Sequence, residues 1–525
     1  MNEQQLNAVN SDAKRLLVLA GAGTGKTTTM LARISRLVEN GVKPTEILVL
    51  TFTNSAACDM KERYMRSHDT DSMPQFCTFH SFCYRLITSD FDIRRKLGYS
   101  TVPSVASSSD INRIKTTCIQ QCGTKLSIGK LEGKIPLLAK EKFQYDIFWK
   151  RYNQLLRQSG LITFDIMCYE VGDLFVKHDP VVKRYEEQHK YIFVDEFQDT
   201  DHRQWNFVKS FDNASIFVVG DVKQELYAFR EADPEIIKSL TTNPEWDTIK
   251  LSENYRSTKQ ICDFSNRLHD TVFGNMPYNL KINGQHDGEP VTARHGFNLR
   301  SEKAQEFIIE INSALTSGKS IAILCRSNAE VKDTLDNLAR LSVPCRTNSD
   351  QDSFLQIMKS AVNSKFAVDW LSSKLNQDEY GKYLKSCAID SSYETYEVFA
   401  KTYYEKFKTS IDYIDVVTRI LSSDDFAMNK LVRIFNAFKL RMPKITESIN
   451  NNDDLTTFII EYLSNRSTDS GVYVGTIHSV KGLEFDVVYL IGVNGDHFPI
   501  DNEDNINCFY VGATRAKEKL YVYYG

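Results

Sequence analysis

Short apolar runs recur along the chain, several closed by Gly, Asp, Ser or Thr and followed by a helical pattern. They are Leu16–Ala20, Ile47–Phe52, Tyr191–Val194, Ile216–Val219, Ile321–Cys325, Val487–Ile491 and Leu520–Tyr524. Strands that alternate with helices in this way predict parallel sheets in an α/β architecture. Two stretches break the rhythm. Residues 88–161 read as mostly helical and lysine-bearing, and residues 351–467 as helical with many polar and aromatic positions. Each reads as an insertion into an α/β core. The predicted order is a first core (1–87 and 162–250) interrupted by 88–161, then a second core (251–350 and 468–525) interrupted by 351–467.

Composition narrows the class without naming a function. A chain of 525 residues is long enough for two to four domains. An apolar fraction of 42%, with 30 Phe and 25 Tyr, supplies ordinary globular cores and argues against disorder. No apolar run reaches the ~20 residues that span a bilayer, and the first residues, Met1 to Gln5, lack a charged-then-apolar signal pattern. No membrane association is expected, and a cytoplasmic location is. The 11 cysteines are scattered. Cys118 with Cys122 and Cys77 with Cys83 are the closest pairs, but no second pair completes a zinc-like set, so reduced thiols are expected. A net charge of −4 gives no global attraction to nucleic acid. It leaves room for a local basic groove, because phosphate contacts need only a few well-placed Lys and Arg.

The strongest local signal is Ala20-Gly21-Ala22-Gly23-Thr24-Gly25-Lys26-Thr27, set between an apolar strand and the helical pattern Thr28–Val38. Glycines let the backbone wrap a phosphate with its N–H groups inward, and the helix start adds positive partial charge. Lys26 is placed to reach the β- and γ-phosphates and Thr27 to hold Mg²⁺. Ala20 stands where the strict pattern has Gly; the Gly-x-Gly-Lys-Thr core and its strand–loop–helix setting are intact. A phosphate loop needs an acidic partner at the end of a neighbouring strand. Tyr191–Val194 runs into Asp195 and Glu196, one suited to Mg²⁺ and the other to polarising the attacking water. Adjacent carboxylates are usually a solvated surface. Here an apolar strand aims them at the sheet edge where α/β folds bind ligands.

The downstream segments then form an ordered set. Phe193–Thr200 resembles the Walker B motif of superfamily 1A helicases of the UvrD/Rep kind. Thr51–Ala57 resembles their motif Ia, Thr78–Phe82 motif Ib, Val219–Arg230 motif III, Glu253–Ser257 motif IV, Thr476–Phe485 motif V, Tyr510–Ala516 motif VI and Asn2–Val9 the leading Q motif. Eight such motifs in family order are very specific, and they run from the first residues to the last. The resemblance implies two RecA-like P-loop lobes, 1A and 2A, each carrying a mainly helical insertion, 1B at 88–161 and a trimmed 2B at 351–467.

Carried over residue by residue, the resemblance implies that Ala22, Gly23, Thr24, Gly25, Lys26, Thr27 and Thr28 hold the ATP phosphates. Gln5 reads the adenine edge, Tyr255 stacks on its face and Glu484 meets the ribose. Lys26, Asp195, Glu196, Gln224, Arg256 and Arg515 form the catalytic set. Gln224 senses the γ-phosphate, and Arg256 and Arg515 clamp it with the planar fork that suits phosphate. Phe52, Tyr227 and Phe229 stack bases, while Asn54, His80 and His478 touch the strand backbone. The implied activity is an ATP-dependent single-stranded DNA translocase and 3′-to-5′ helicase, acting on single-stranded and tailed duplex DNA with ATP and Mg²⁺, as in DNA repair.

Some positions depart from the family pattern: Ser55 for a lysine, Thr28 for an arginine, Arg230-Glu231-Ala232 for Arg-Gly-Ala, and Asn505-Ile506-Asn507 for a charged cluster. Basic residues in the first insertion, Arg94, Arg95, Lys96, Lys125, Lys130, Lys134, Lys140 and Lys142, are expected to face nucleic-acid phosphate in part. In size and trimming the chain is somewhat similar to the helicase-like subunit of the Gabija antiviral defence system. That similarity implies a second reading, a DNA-stimulated ATPase that regulates a partner nuclease with little unwinding of its own. A third, a nucleotide-gated binding module with vestigial hydrolysis, is disfavoured by the complete catalytic set.

Overall fold

A computed structural model describes residues 1–68, 72–131, 138, 141–226, 232–295, 304–341, 343, 345–347, 471–493 and 502–524. The stretch 351–467 and the base-stacking candidates Tyr227 and Phe229 lie outside the described residues. The chain forms two compact units. Unit 1 is Met1–Tyr255 with Asn266–Gln285, and unit 2 is Arg256–Ser265 with His286–Gly525.

In chain order the strands of unit 1 are β1 (Arg15–Ala20), β2 (Ile47–Thr51), β3 (Gln75–Thr78), β4 (Ser104–Val105), β5 (Leu161–Ile162), β6 (Tyr191–Val194), β7 (Ser215–Gly220), β8 (Asp247–Leu251), β9 (Glu253–Asn254) and β10 (Asn283–Gly284). Six of them make a parallel sheet, β3-β2-β6-β7-β1-β8. Its central strands are apolar without a break because both faces are covered. Leu17, Leu19, Leu48, Leu50, Ile192 and Val194 pack on one side with Phe82, Phe175 and Phe207. Leu16, Val18, Ile47, Val49 and Phe193 pack on the other with Met30 and Ile34. Edge strand β8, Asp-Thr-Ile-Lys-Leu, buries only its last residue fully, and so carries no continuous apolar run.

The helices that matter here are α1 (Glu3–Asn10), α2 (Lys26–Glu39), α3 (Asn54–Met65), α4 (Phe79–Ser89), α5 (Phe91–Lys96), α6 (Ser108–Cys122), α7 (Ile128–Leu131), α8 (Lys142–Gln158) and α9 (Phe164–Val176). Helices α6 and α8 enclose a separate core of Ile114, Cys118, Phe148, Tyr152 and Leu156, with Ala106 beside the short β4–β5 pair. That core explains why residues 88–161 show helical periodicity and no strand–turn–helix signal.

Unit 2 contributes β11 (Thr292–His295), β12 (Ile321–Cys325), β13 (Cys345–Arg346), β14 (Val472–Thr476), β15 (Phe485–Val493) and β16 (Ala516–Tyr524). They form a second parallel sheet, β11-β16-β15-β12-β14-β13. Two parallel six-stranded sheets with helices, one per unit, are the α/β, RecA-like architecture the sequence predicts.

Candidate functional site: a nucleotide cradle and a strand-facing edge

The phosphate loop leaves β1 at Ala20 and enters α2 at Lys26. Gly23 and Gly25 take positive φ, 69° and 82°, where a side chain is strained. A Cβ on Gly25 would also sit 2.8 Å from Gln5 Nε2. The loop is braced from outside by its carbonyls. Asn254 Nδ2 donates to Ala22 O at 2.6 Å, the Tyr255 N–H to Gly23 O at 3.0 Å and Gln5 Nε2 to Thr24 O at 2.9 Å. In trans peptides the N–H opposes the carbonyl, so the N–H groups of Gly23 and Gly25 face the other way, into the cradle. The start of α2 has no side-chain cap, which leaves its first N–H groups to an anion. Lys26 Nζ is buried without a hydrogen bond, 3.7 Å from Glu196 Oε2. Thr27 is half-buried and Thr28 exposed at the same turn.

Glu196 follows β6 in a left-handed conformation, φ 49°, which is uncommon for a residue with a side chain. Gln198 Nε2 donates to its Oε2 at 2.6 Å, and Gln198 Oε1 accepts the Asp221 N–H at 3.0 Å. Asp221 Oδ2 in turn accepts Gln224 Nε2 at 2.7 Å. A continuous polar chain therefore runs Lys26–Glu196–Gln198–Asp221–Gln224 along the C-terminal edge of the sheet. Asp195, 6% exposed, lies beside it at the end of β6. Lys223 is wholly buried with Nζ on Leu280 O, and burial, against the pull of Asp221, lowers its pKa to about 8.

Gln5 sits against the phosphate loop. It caps α1 through Asn2 and holds Thr24 O, with 5% exposure. Tyr255 is half exposed, and its hydroxyl accepts Asn2 Nδ2 at 2.8 Å.

Within unit 2, Arg256 Nε donates to Glu484 Oε2 at 2.8 Å and its NH1 to Thr514 O at 3.2 Å. Lys517 pairs with the other Glu484 oxygen. Burial works against the Glu484 carboxylate, but Lys517 and Arg256 outweigh it and hold its pKa below the usual value. Arg515, 2% exposed, donates from Nε to Val511 O and from NH1 to Leu483 O. Arg256 and Arg515 both meet Thr514, the first at its carbonyl and the second at its hydroxyl.

The predicted strand contacts follow strand ends. Phe52 comes directly after β2, Asn54 opens α3, and His80 lies in the first turn of α4 after β3. Exposed Asn54 accepts Ser81 Oγ at 3.2 Å, which joins the two segments. His478 sits in the 3-10 turn after β14, and burial first, then Arg326 and Lys481, lowers its pKa. Of the basic residues at 88–161, Lys130 pairs with Glu141, Lys96 with Asp179, and Arg94 with the carbonyls of Ile87 and Thr88. Arg95, Lys125 and Lys142 are exposed, and Lys134 and Lys140 lie outside the described residues. A cleft of about 540 Å³ opens at the opposite edge of the sheet, lined by Lys14, His189, Lys190 and Ser215, away from every motif above.

The UvrD/REP helicase N-terminal domain matches residues 1–245, and the UvrD-like helicase C-terminal domain matches residues 249–362 and 369–525. The chain belongs to the UvrD/Rep helicase family. That places it among the ATP-dependent DNA helicases. It is 28% identical to the ATP-dependent DNA helicase PcrA of Staphylococcus aureus strain Mu50, over 99% of this chain and 83% of that protein. The PcrA of Staphylococcus epidermidis strain ATCC 12228 is 26% identical, with the same coverage.

Several side chains central to this helicase site carry no role in a motif reading. Gln198, fully buried, couples Glu196 to β7, and Gly220 is tight because a Cβ there would meet Gln198 Oε1 at 2.6 Å. Asn254, fully buried, holds the phosphate loop across 232 residues of sequence. The available signal was weak: a polar residue just after an apolar strand, which is equally the mark of a turn.

Proposed function

We propose that the protein hydrolyses ATP at the unit 1 cradle and uses it to move along single-stranded DNA and unwind tailed duplexes in the 3′-to-5′ direction. The observation that carries this reading is the continuous chain from Lys26 to Gln224, which joins phosphate loop, acidic strand end and motif III in one network. In it Lys26 draws charge from the β- and γ-phosphates, and Glu196 accepts the proton of the attacking water. Gln198 and the left-handed turn fix the aim of that carboxylate. Gln224 carries the state of the γ-phosphate to the segment after β7. Arg256 and Arg515 stabilise the charge that develops on the transferred phosphoryl group.

Thr27 and Asp195 offer hard oxygen donors that suit Mg²⁺, which would supply charge neutralisation on the phosphate oxygens. Among the described residues no group of three or more His, Cys, Asp and Glu is placed to hold a metal, so such an ion relies on nucleotide oxygens for the rest of its shell. Tyr255 supplies a half-exposed face for the base. Gln5 reads its edge with the second N–H of the amide whose first is held by the Thr24 carbonyl. Phe52, with Tyr227 and Phe229, stacks bases, and Asn54, His80 and His478 meet the strand backbone.

Strand displacement on 3′-tailed and 5′-tailed duplexes with ATP tests the proposal. Unwinding of the 3′-tailed substrate alone is expected. Unwinding of the 5′-tailed substrate alone overturns the polarity, and DNA-stimulated hydrolysis without displacement favours the nuclease-regulating ATPase.

A further inference from the structure

Against the phosphate loop lies a strap, residues 280–284, that the sequence motifs above do not include. Its contacts all fall within unit 1. Lys223, in the 3-10 turn that also carries Gln224, donates from Nζ to Leu280 O at 2.7 Å. Asn266, in the last turn of the helix Lys259–Leu268, grips Ile282 with both ends of its amide. Its Oδ1 accepts the Ile282 N–H at 2.9 Å, and its Nδ2 donates to Ile282 O at 2.8 Å. The Asn283 N–H donates to Ser252 O at 2.7 Å, and β10 pairs in parallel with β9. β9 ends at Asn254, the residue that braces Ala22 O. The last contact is a side chain. Ile282 is wholly buried, and its Cγ2 lies 2.2 Å from where a Cβ on Gly21 would sit. Only glycine at 21 lets that methyl pack directly on the loop backbone.

A polar chain already joins Lys26 to Gln224. The strap is a second connection between that turn and the loop, made of a buried ammonium, a backbone segment and one methyl contact. Asp221 ties the two connections together: Oδ1 accepts the Lys223 N–H at 3.1 Å and Oδ2 accepts Gln224 Nε2 at 2.7 Å. A lysine taken out of water is costly unless its ammonium is held, so the bond to Leu280 O fixes turn and strap to each other. Close-packed interiors are stiff, and a shift of the turn displaces the strap instead of being absorbed.

We propose that Lys223 and Ile282 are positioning residues that tie motif III to the phosphate loop through the strap, so that a DNA strand engaged at motif III changes the loop's hold on nucleotide. The inference rests on the cradle and strand readings of the proposed function and deepens them. A strand that moves the Val222–Gln224 turn moves Leu280 with it. The strap passes that movement to Ile282, whose methyl presses on Gly21 or withdraws from it. Neither residue takes part in the chemistry, which is left to Lys26, Glu196 and the two arginines. Coupling of this kind needs a contiguous set of packed and hydrogen-bonded groups, and the strap supplies one.

The test measures the affinity of the full chain for a fluorescent, non-hydrolysable ATP analogue with Mg²⁺, with and without saturating single-stranded oligo-dT. In the wild type the strand is expected to change this affinity at least about fivefold. Lys223→Met, which removes the ammonium and keeps the bulk, is expected to bring that factor below about twofold, and Ile282→Ala to do the same. Both variants should still bind the analogue. Ile282→Val keeps the Cγ2 methyl and is expected to restore the wild-type factor. Lys223→Met combined with Ile282→Ala should be no worse than either alone, because both cut one connection. An unchanged factor in both single variants overturns the strap, as does Ile282→Val behaving like Ile282→Ala. A wild type that binds the analogue without responding to the strand overturns the coupling and leaves the cradle standing. Failure of the wild type to bind the analogue at all contradicts the cradle itself, and the inference falls with it.

Discussion

The phosphate-loop lysine of unit 1 and the two motif arginines of unit 2 are held in contrasting ways. Lys26 Nζ is buried, makes no hydrogen bond, and has Glu196 at 3.7 Å. Arg256 and Arg515 are oriented by backbone carbonyls of 483, 511 and 514 and, for Arg256, by Glu484. A flexible ammonium with one ion-pair partner and no hydrogen bond gains most when phosphate oxygens arrive. A planar guanidinium anchored by carbonyls keeps its direction before anything arrives. The difference separates two duties. On the proposed function, Lys26 would bind ground state and transition state alike, whereas pre-aimed arginines would suit charge that appears only during transfer.

That contrast can be broken, and the largest effect should come from the arginines. Arg515→Ala is expected to lower DNA-stimulated kcat by ~10³-fold or more while ATP binding persists; a loss confined to KM would place Arg515 in ground-state binding with Lys26. Next, Glu196→Gln should cost ~10²–10⁴ in kcat, with nucleotide still retained on a filter. Robust hydrolysis in that variant refutes Glu196 as the base. Gln198→Ala, which removes the link from Glu196 to β7, should reduce kcat about tenfold, the scale of one hydrogen bond to a charged group. Equal activity would show that the left-handed turn alone aims the carboxylate.

The smallest effect is on stability and concerns a third cation. Lys223 has a folded pKa of about 8 against 10.5. The unfolded chain therefore binds more protons between those values, and stability attributable to Lys223 rises with pH across that window. Denaturant midpoints of Lys223→Met should lack this rise, and an identical pH profile in both proteins contradicts the burial account.

How much of this was legible beforehand follows from what each feature needs. Leu16–Ala20, Tyr191–Val194 and Ile321–Cys325 were readable because strands buried on both faces leave unbroken apolar runs. Strand β8 was not, since Asp247 and Lys250 lie exposed on a sheet edge. Nor was β3, four residues long with its first two only partly buried. The cradle was legible because glycine spacing is local. Its braces, Asn254 and Gln198, were not, because their partners are fixed by strand order and not by sequence spacing. The motif names Gln5, and the structure adds its bonds: Oε1 accepts the Asn2 N–H and Nε2 donates to Thr24 O.

The most direct test of the motor reading is the steady-state ATPase rate with and without saturating single-stranded DNA, for wild type and Arg515→Ala together. Strand binding and the arginine should act on one step, so DNA should raise the wild-type rate at least about tenfold and leave the variant nearly flat. A wild-type rate indifferent to DNA, or a variant stimulated to the same degree, contradicts the account.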